Sequence, residues 1–184
     1  MDIFSAFGLS ASAGLNAYLP LLIVSVSARL GAFELREPFD VMESWWIIGV
    51  LAVLTLIEIF VDKIPAVDTV NDVISTIIRP VAGAILFAAS AHVVTDISPV
   101  FSAVLGLLTA GGVHAAKTMA RPAVTATTAG VGNPIVSTVE DIIAAITSLL
   151  AVVLPWMVLL IAVTGIVMFL RWRMRRADRR AARY

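Results

Sequence analysis

The chain reads as continuous apolar runs divided by short polar segments. Residues 3–28 form the first run, and 44–61 the second, opened by Trp45-Trp46 in the manner of an interfacial aromatic belt. Residues 81–95 are a short third run, 99–116 a fourth and 135–170 a fifth. A membrane helix needs about 20 predominantly apolar residues. The runs do not alternate in polarity, which argues against a transmembrane barrel. As one helix the last run would be about 54 Å long, against a hydrocarbon core of about 30 Å. Pro155 stands near its middle and breaks it, so two elements are expected, 135–153 and 156–170. Segments 29–43, 62–80 and 117–133 interrupt the apolar pattern. The pattern predicts an all-α, polytopic membrane protein of about five to six membrane elements, some of them broken. Small residues Gly8, Ser12, Ala13 and Gly14 in the first run, and Gly106, Ala110, Gly111 and Gly112 in the fourth, suit close helix–helix contact. The first run also ends in small residues (Ser25-Val26-Ser27-Ala28), as a cleaved signal would, but it lacks a basic leader. A span is preferred and the signal stays as the alternative.

Composition agrees. The chain is 60% hydrophobic and 14% charged, with mean hydropathy +0.98, where soluble domains are about 45–50% apolar and about 25% charged. The formal net charge of zero is a sum over two unlike regions. Residues 171–184 hold seven Arg and one acid, net +6, and residues 1–170 are net −6. The basic tail after the last run places the C-terminus in the cytoplasm of a cell-membrane protein. Six crossings would put the N-terminus there too. No nucleic-acid motif accompanies the tail, so membrane lipid is its expected partner. The absence of Cys excludes thiolate sites, and two His give no basis for a His-rich metal centre. Neither a metal nor a cofactor is expected. With no familiar catalytic motif either, the expectation is that the protein is not an enzyme.

One segment repeats. Residues 65–74, PAVDTVNDVI, align without gaps to residues 134–143, PIVSTVEDII, with six identities in ten. Pro65 and Pro134 would hold an extended approach, and Asp68 and Ser137 would cap the helices that follow. Ser137-Thr138-Val139-Glu140 fits a capping box. Thr69 and Thr138 are shared, and Asp72 and Asp141 would lie in the first turns. A weaker match joins residues 8–17 to 106–115. Duplicated halves, about 1–95 and 97–170, point to transporter-like architecture. Two similar but unrelated helix starts remain the simpler reading.

The run from Val61 to Asp68, then Arg79-Pro80-Val81-Ala82-Gly83-Ala84, then Gly132-Asn133-Pro134 with Ser137, Glu140 and Asp141, resembles the bacterial membrane proteins grouped as domain-of-unknown-function family 4126. The resemblance covers nearly the whole chain except the Arg tail. It implies a small polytopic bacterial membrane protein and brings no established activity with it.

Ionisable residues within membrane segments cost about 2.5–3.5 kcal/mol each on insertion scales and are functional candidates by default. Glu58 and Asp62 are four residues apart, on one helical face. They could bind a cation or relay a proton, or sit solvated at the interface beside Lys63. His114, Lys117 and Arg121 share a face that could neutralise acids or hold an anion, or could serve only as a cytoplasmic anchor. Asn16 precedes Pro20, where a kink would free a carbonyl, or it hydrogen-bonds between helices. His92 and Asp96 read as a simple pair. Glu140 and Asp141 are adjacent and point apart, so one at most caps while the other faces a pathway. Together with Asp68, Asp72 and Asn133, these residues suggest a small transporter or channel for an ion or small solute, cationic or proton-coupled, acting as a homo-oligomer. A flippase-like protein handling lipid phosphate and a non-catalytic scaffold are the alternatives.

Overall fold

A computed structural model describes residues 1–91 and 98–181, except the side chains of 65–70, 72, 91 and 176–181. Among the described residues the chain is all-α, with seven helices: α1 (Ile3–Leu15), α2 (Tyr18–Arg29), α3 (Trp45–Val61), α4 (Pro65–Ala91), α5 (Pro99–Thr128), α6 (Asn133–Val153) and α7 (Pro155–Ala181). A short 3-10 turn, Phe39–Glu43, precedes α3. Four helices are long and apolar enough to cross a membrane, through Val73–Ser90, Pro99–Thr128, Asn133–Val153 and Pro155–Arg175. The break at Pro155 is where the sequence places it, with Leu154 between α6 and α7.

Three expectations change. Segment 62–80 interrupts the apolar pattern without interrupting the helix, because α4 runs from Pro65 through Pro80 to Ala91. Segment 117–133 is mostly helix, since α5 continues through Pro122 to Thr128. In both, a buried polar face makes a helix look like a break in a hydropathy reading. The third correction concerns residues 3–28, which are two helices and not one span.

Side-chain pairings give the direction of each helix. Phe7 meets Phe87 edge-on, with ring centroids 4.9 Å apart, and Ser10 Oγ donates to the Gly83 carbonyl at 2.8 Å. α1 therefore runs antiparallel to α4. It is antiparallel to α6 as well, since Ser5 Oγ donates to the Ala151 carbonyl at 2.7 Å and Asn16 Nδ2 to Asp141 at 3.0 Å. α3 is antiparallel to α4, because Glu58 lies level with Arg79 and Asp62 with Asn71. α2 is antiparallel to α3, with Ala17 at Glu58 and the Arg29 guanidinium 5.3 Å from the Trp45 ring centroid. Two reversals from α4 bring α2 parallel to it, so α1 and α2 form a helical hairpin. Its tip, Asn16-Ala17, is buried in the middle of the bundle.

Local chemistry accounts for the break. Pro20 has no N–H, and its ring clashes with the carbonyl four residues back, at Asn16, so one helix cannot run through. Asn16 ends α1 in extended geometry, φ −141° and ψ 124°, while its amide N–H still reaches the Ser12 carbonyl. The core beside the tip is made of small residues. A Cβ on Gly14 would meet the Ala110 carbonyl oxygen at 2.5 Å, and one on Gly83 would meet the Gly106 carbonyl oxygen at 2.8 Å. Of the small residues named from the sequence, Gly14, Gly106 and Ala110 make these crossings. Gly112 faces open space. α7 packs on the bundle only at its start and is exposed from Leu159 to Arg175.

This packing predicts opposite signs for one chemical change. Gly83→Ala should destabilise the protein by about 1–3 kcal/mol through overpacking. Gly112→Ala, in an open helical position, should stabilise it by up to about 1 kcal/mol. Thermal midpoints in detergent would separate the two, and equal shifts would contradict the close α4–α5 crossing.

Candidate functional site

The hairpin tip opens onto a cluster of buried charges. A helix start leaves its first amides without intrahelical partners. At α2 these are satisfied by two side chains. Glu58 accepts from the Ala17 amide at 3.0 Å and the Tyr18 amide at 3.4 Å. Asn16 Oδ1 accepts from the Leu19 amide at 3.0 Å, and Pro20 has no amide hydrogen to satisfy. The carboxylate also suits the positive end of the α2 dipole.

Arg79 lies at the centre, with 0% exposure. Its Nη2 donates to Glu58 at 3.1 Å and to Asp62 at 3.3 Å, and its Nε donates to Glu58 at 3.3 Å. Its Nη1 is 3.2 Å from His114 Nδ1. A guanidinium can only donate, so Nδ1 is the acceptor, and the ring hydrogen sits on Nε2, 3.2 Å from Thr76 Oγ1. Lys117 is shared in the same way. Its Nζ reaches Asp62 at 3.4 Å, Glu140 at 2.9 Å and the Leu15 carbonyl at the end of α1 at 3.3 Å. Asp141 accepts from Asn16 at 3.0 Å and pairs with Lys63 at 3.4 Å. Lys63 Nζ also donates to the Ile59 carbonyl at 2.9 Å. Asn71 Nδ2 donates to Asp62 at 2.7 Å.

Six helices, α1 to α6, and the turn after α3 thus converge on one point. Of the residues named from the sequence, Asn16, Glu58, Asp62, Lys63, His114, Lys117, Glu140 and Asp141 come together there. Arg121 is buried on the same face of α5, one turn beyond Lys117. Asn133 is buried at the α5–α6 turn, where it bonds Thr125 at 3.0 Å. Thr138 is exposed and bonds the Pro134 carbonyl, away from the cluster.

The repeat segments do start helices, with Pro65 first in α4 and Pro134 second in α6. The assigned caps are wrong. α6 begins at Asn133 with no side-chain cap, and no acid lies in its first turn. Ser137 and Asp141 therefore stand one and two turns inside, on the buried face, and neither Glu140 nor Asp141 caps. Both reach the cluster, from different sides. A Pro near a helix start places the cap before it, and the S-x-x-E pattern then recurs inside the helix as a packing face. The side chains of Asp68, Thr69 and Asp72, and residues His92 and Asp96, lie outside the described residues.

Arg79, Thr76 and Asn71 were missed. Their signal was the four-residue spacing of Asn71, Ser75 and Arg79, which continues as Ala82, Leu86 and Ala89 along one buried face.

A family model described as "Domain of unknown function (DUF4126)" matches residues 3–175. The chain belongs to that family. No curated protein and no solved structure matches it. Every residue of the cluster lies within the DUF4126 match.

Removing one partner from a buried ion pair costs about 3–5 kcal/mol, because the other charge stays buried. Arg79→Met should therefore lower the thermal midpoint far more than Arg171→Met on exposed α7. Equal midpoints would contradict the central position of Arg79.

Proposed function

We propose that this protein is a small transporter or channel of the bacterial cell membrane, with a pathway through the charge cluster at the hairpin tip. Its cargo is a cation or a small solute coupled to protons. The observation that carries this reading is the sharing of cations. Arg79 serves both Glu58 and Asp62, and Lys117 serves both Asp62 and Glu140. When one carboxylate takes up a proton or a cation, its base keeps a second acid. Loading then strands no buried charge, unlike the opening of an isolated pair. A broken hairpin ending at buried charges also fits the discontinuous helices of transporters, whose irregular backbone lines the binding site.

In this reading α1 and α2 form a re-entrant hairpin, and α3 to α7 cross the membrane. Lys63, the α5–α6 turn and the Arg tail then share the cytoplasmic side. The N-terminus lies on the opposite side, with the connector before α3. Lys117 is engaged by two carboxylates, which weighs against a role for it in gripping a lipid phosphate.

Glu58→Gln and Asp62→Asn keep shape and remove charge. Proteoliposomes loaded with a pH-sensitive dye, under imposed proton, Na⁺ or K⁺ gradients, should show flux that falls about 10-fold or more in either variant, as expected for loss of a positioned proton-transfer group. Unchanged flux in both would remove these residues from the mechanism. Lost stability with no wild-type flux under any gradient would favour the scaffold.

A further inference from the structure

The bundle is built differently on the two sides of the hairpin tip. Toward the hairpin's open end the interior is closely packed and carries no buried charge among the described residues. Leu9, Ala13, Leu86, Phe87, Ala110 and Ala151 are fully buried there. The hydroxyls of Ser5 and Ser10 are spent on the carbonyls of Ala151 and Gly83. The Gly83–Gly106 crossing leaves no space for a methyl group.

Toward the α5–α6 turn the interior is polar. α6 buries Asn133, Ser137 and Asp141 at four-residue steps, and α5 buries Lys117 and Arg121. The network also reaches the surface here, with side-chain exposures of 32% for Lys63, 16% for Glu140 and 11% for Asp141.

Ser137 is the informative residue. It is 1% exposed, and its hydroxyl has no hydrogen-bond partner among the described residues. Elsewhere buried helical hydroxyls turn back onto the carbonyl four residues earlier, as Ser12, Thr55 and Ser148 do. Ser25 and Ser90 also lack partners among the described residues, but they stand one turn from Leu21 and Leu86. Ser137 stands one turn from Asn133 on one side and Asp141 on the other. A buried hydroxyl left unsatisfied costs about 1–3 kcal/mol, and among polar neighbours water is the partner that supplies the missing bond.

We infer that Ser137 marks a one-sided hydrated route along the α5–α6 face, through which water and a small hydrated cation reach the hairpin tip from the side of Lys63. The small-residue layer above the tip is the closed gate on the other side. The cation rests on the transport reading, and the access of water does not.

The chain contains no Cys, so each single-cysteine variant carries a unique thiol. The cysteine thiolate attacks the outer sulfur of a charged, membrane-impermeant methanethiosulfonate, forming a mixed disulfide and releasing methanesulfinate, and it does so only where water admits the reagent. Ser137→Cys should be modified at least about 10-fold faster than Ser10→Cys, because a thiol in apolar surroundings is inert. The reaction should occur from the face that modifies Val131→Cys in the α5–α6 turn. Asn133→Cys, one turn nearer that face, is the second probe and should also react. Full modification after denaturation confirms each free thiol. If Ser137→Cys and Asn133→Cys are as slow as Ser10→Cys while Val131→Cys reacts, or if they react from the opposite face, the route is wrong. Rapid modification in a protein that moves no ion would leave the route standing and remove the transport reading. Ion flux with an inert Ser137→Cys would do the reverse.

Discussion

Arg79 is the constraint on which the centre of this protein depends. A guanidinium with no exposed surface must find acceptors for its donors or the fold fails. It finds Glu58, Asp62 and His114, from α3, the end of α3 and α5. Glu58 in turn supplies acceptors to the first amides of α2. The hairpin can end inside the bundle only because its exposed amides meet a carboxylate, and that carboxylate can stay buried only because Arg79 meets it. Non-helical backbone at such depth is tolerated where protein satisfies it. One interaction therefore fixes both the charge cluster and the reversal of the chain.

Much of this was legible in the amino-acid pattern. The helical membrane class followed from the apolar runs, the α6–α7 break from Pro155, and the close crossings from Gly14, Gly106 and Ala110. Glu58, Asp62, His114 and Lys117 stood out because charges are costly in apolar segments. What was not legible depended on partners far along the chain. Pro20 signals a kink but not a reversal, since the direction of α2 depends on Glu58, 41 residues away from Ala17. Arg79 was hidden because hydropathy averages over a helix and α4 carries a polar stripe. The helix starts at Pro65 and Pro134 were visible, but the cap of α6 was placed one turn late, at the buried Ser137.

The cluster and the layer above it divide the work. Small residues let α1, α4 and α5 approach until no gap remains, which excludes water. One turn further, α4 and α5 carry charges that need one another or solvent, and α1 ends beside them. In the transport reading, such a boundary lets a change in one helix contact alter access to the charges without rebuilding the fold. It also explains why α7, exposed along most of its length, can lie apart from the site.

The hairpin is the element that most separates this account from a simple chain of crossings. In the topology proposed above, residue 2 and the connector at Glu34 lie on one side of the membrane and Val131 on the other. Single cysteines at these three positions, modified by an impermeant thiol reagent in intact cells and in inverted vesicles, measure this directly. Asp2→Cys and Glu34→Cys should be modified from the same side, and Val131→Cys from the opposite one. Modification of Asp2→Cys and Glu34→Cys from opposite sides would mean that residues 3–29 cross the membrane, and would contradict the re-entrant hairpin.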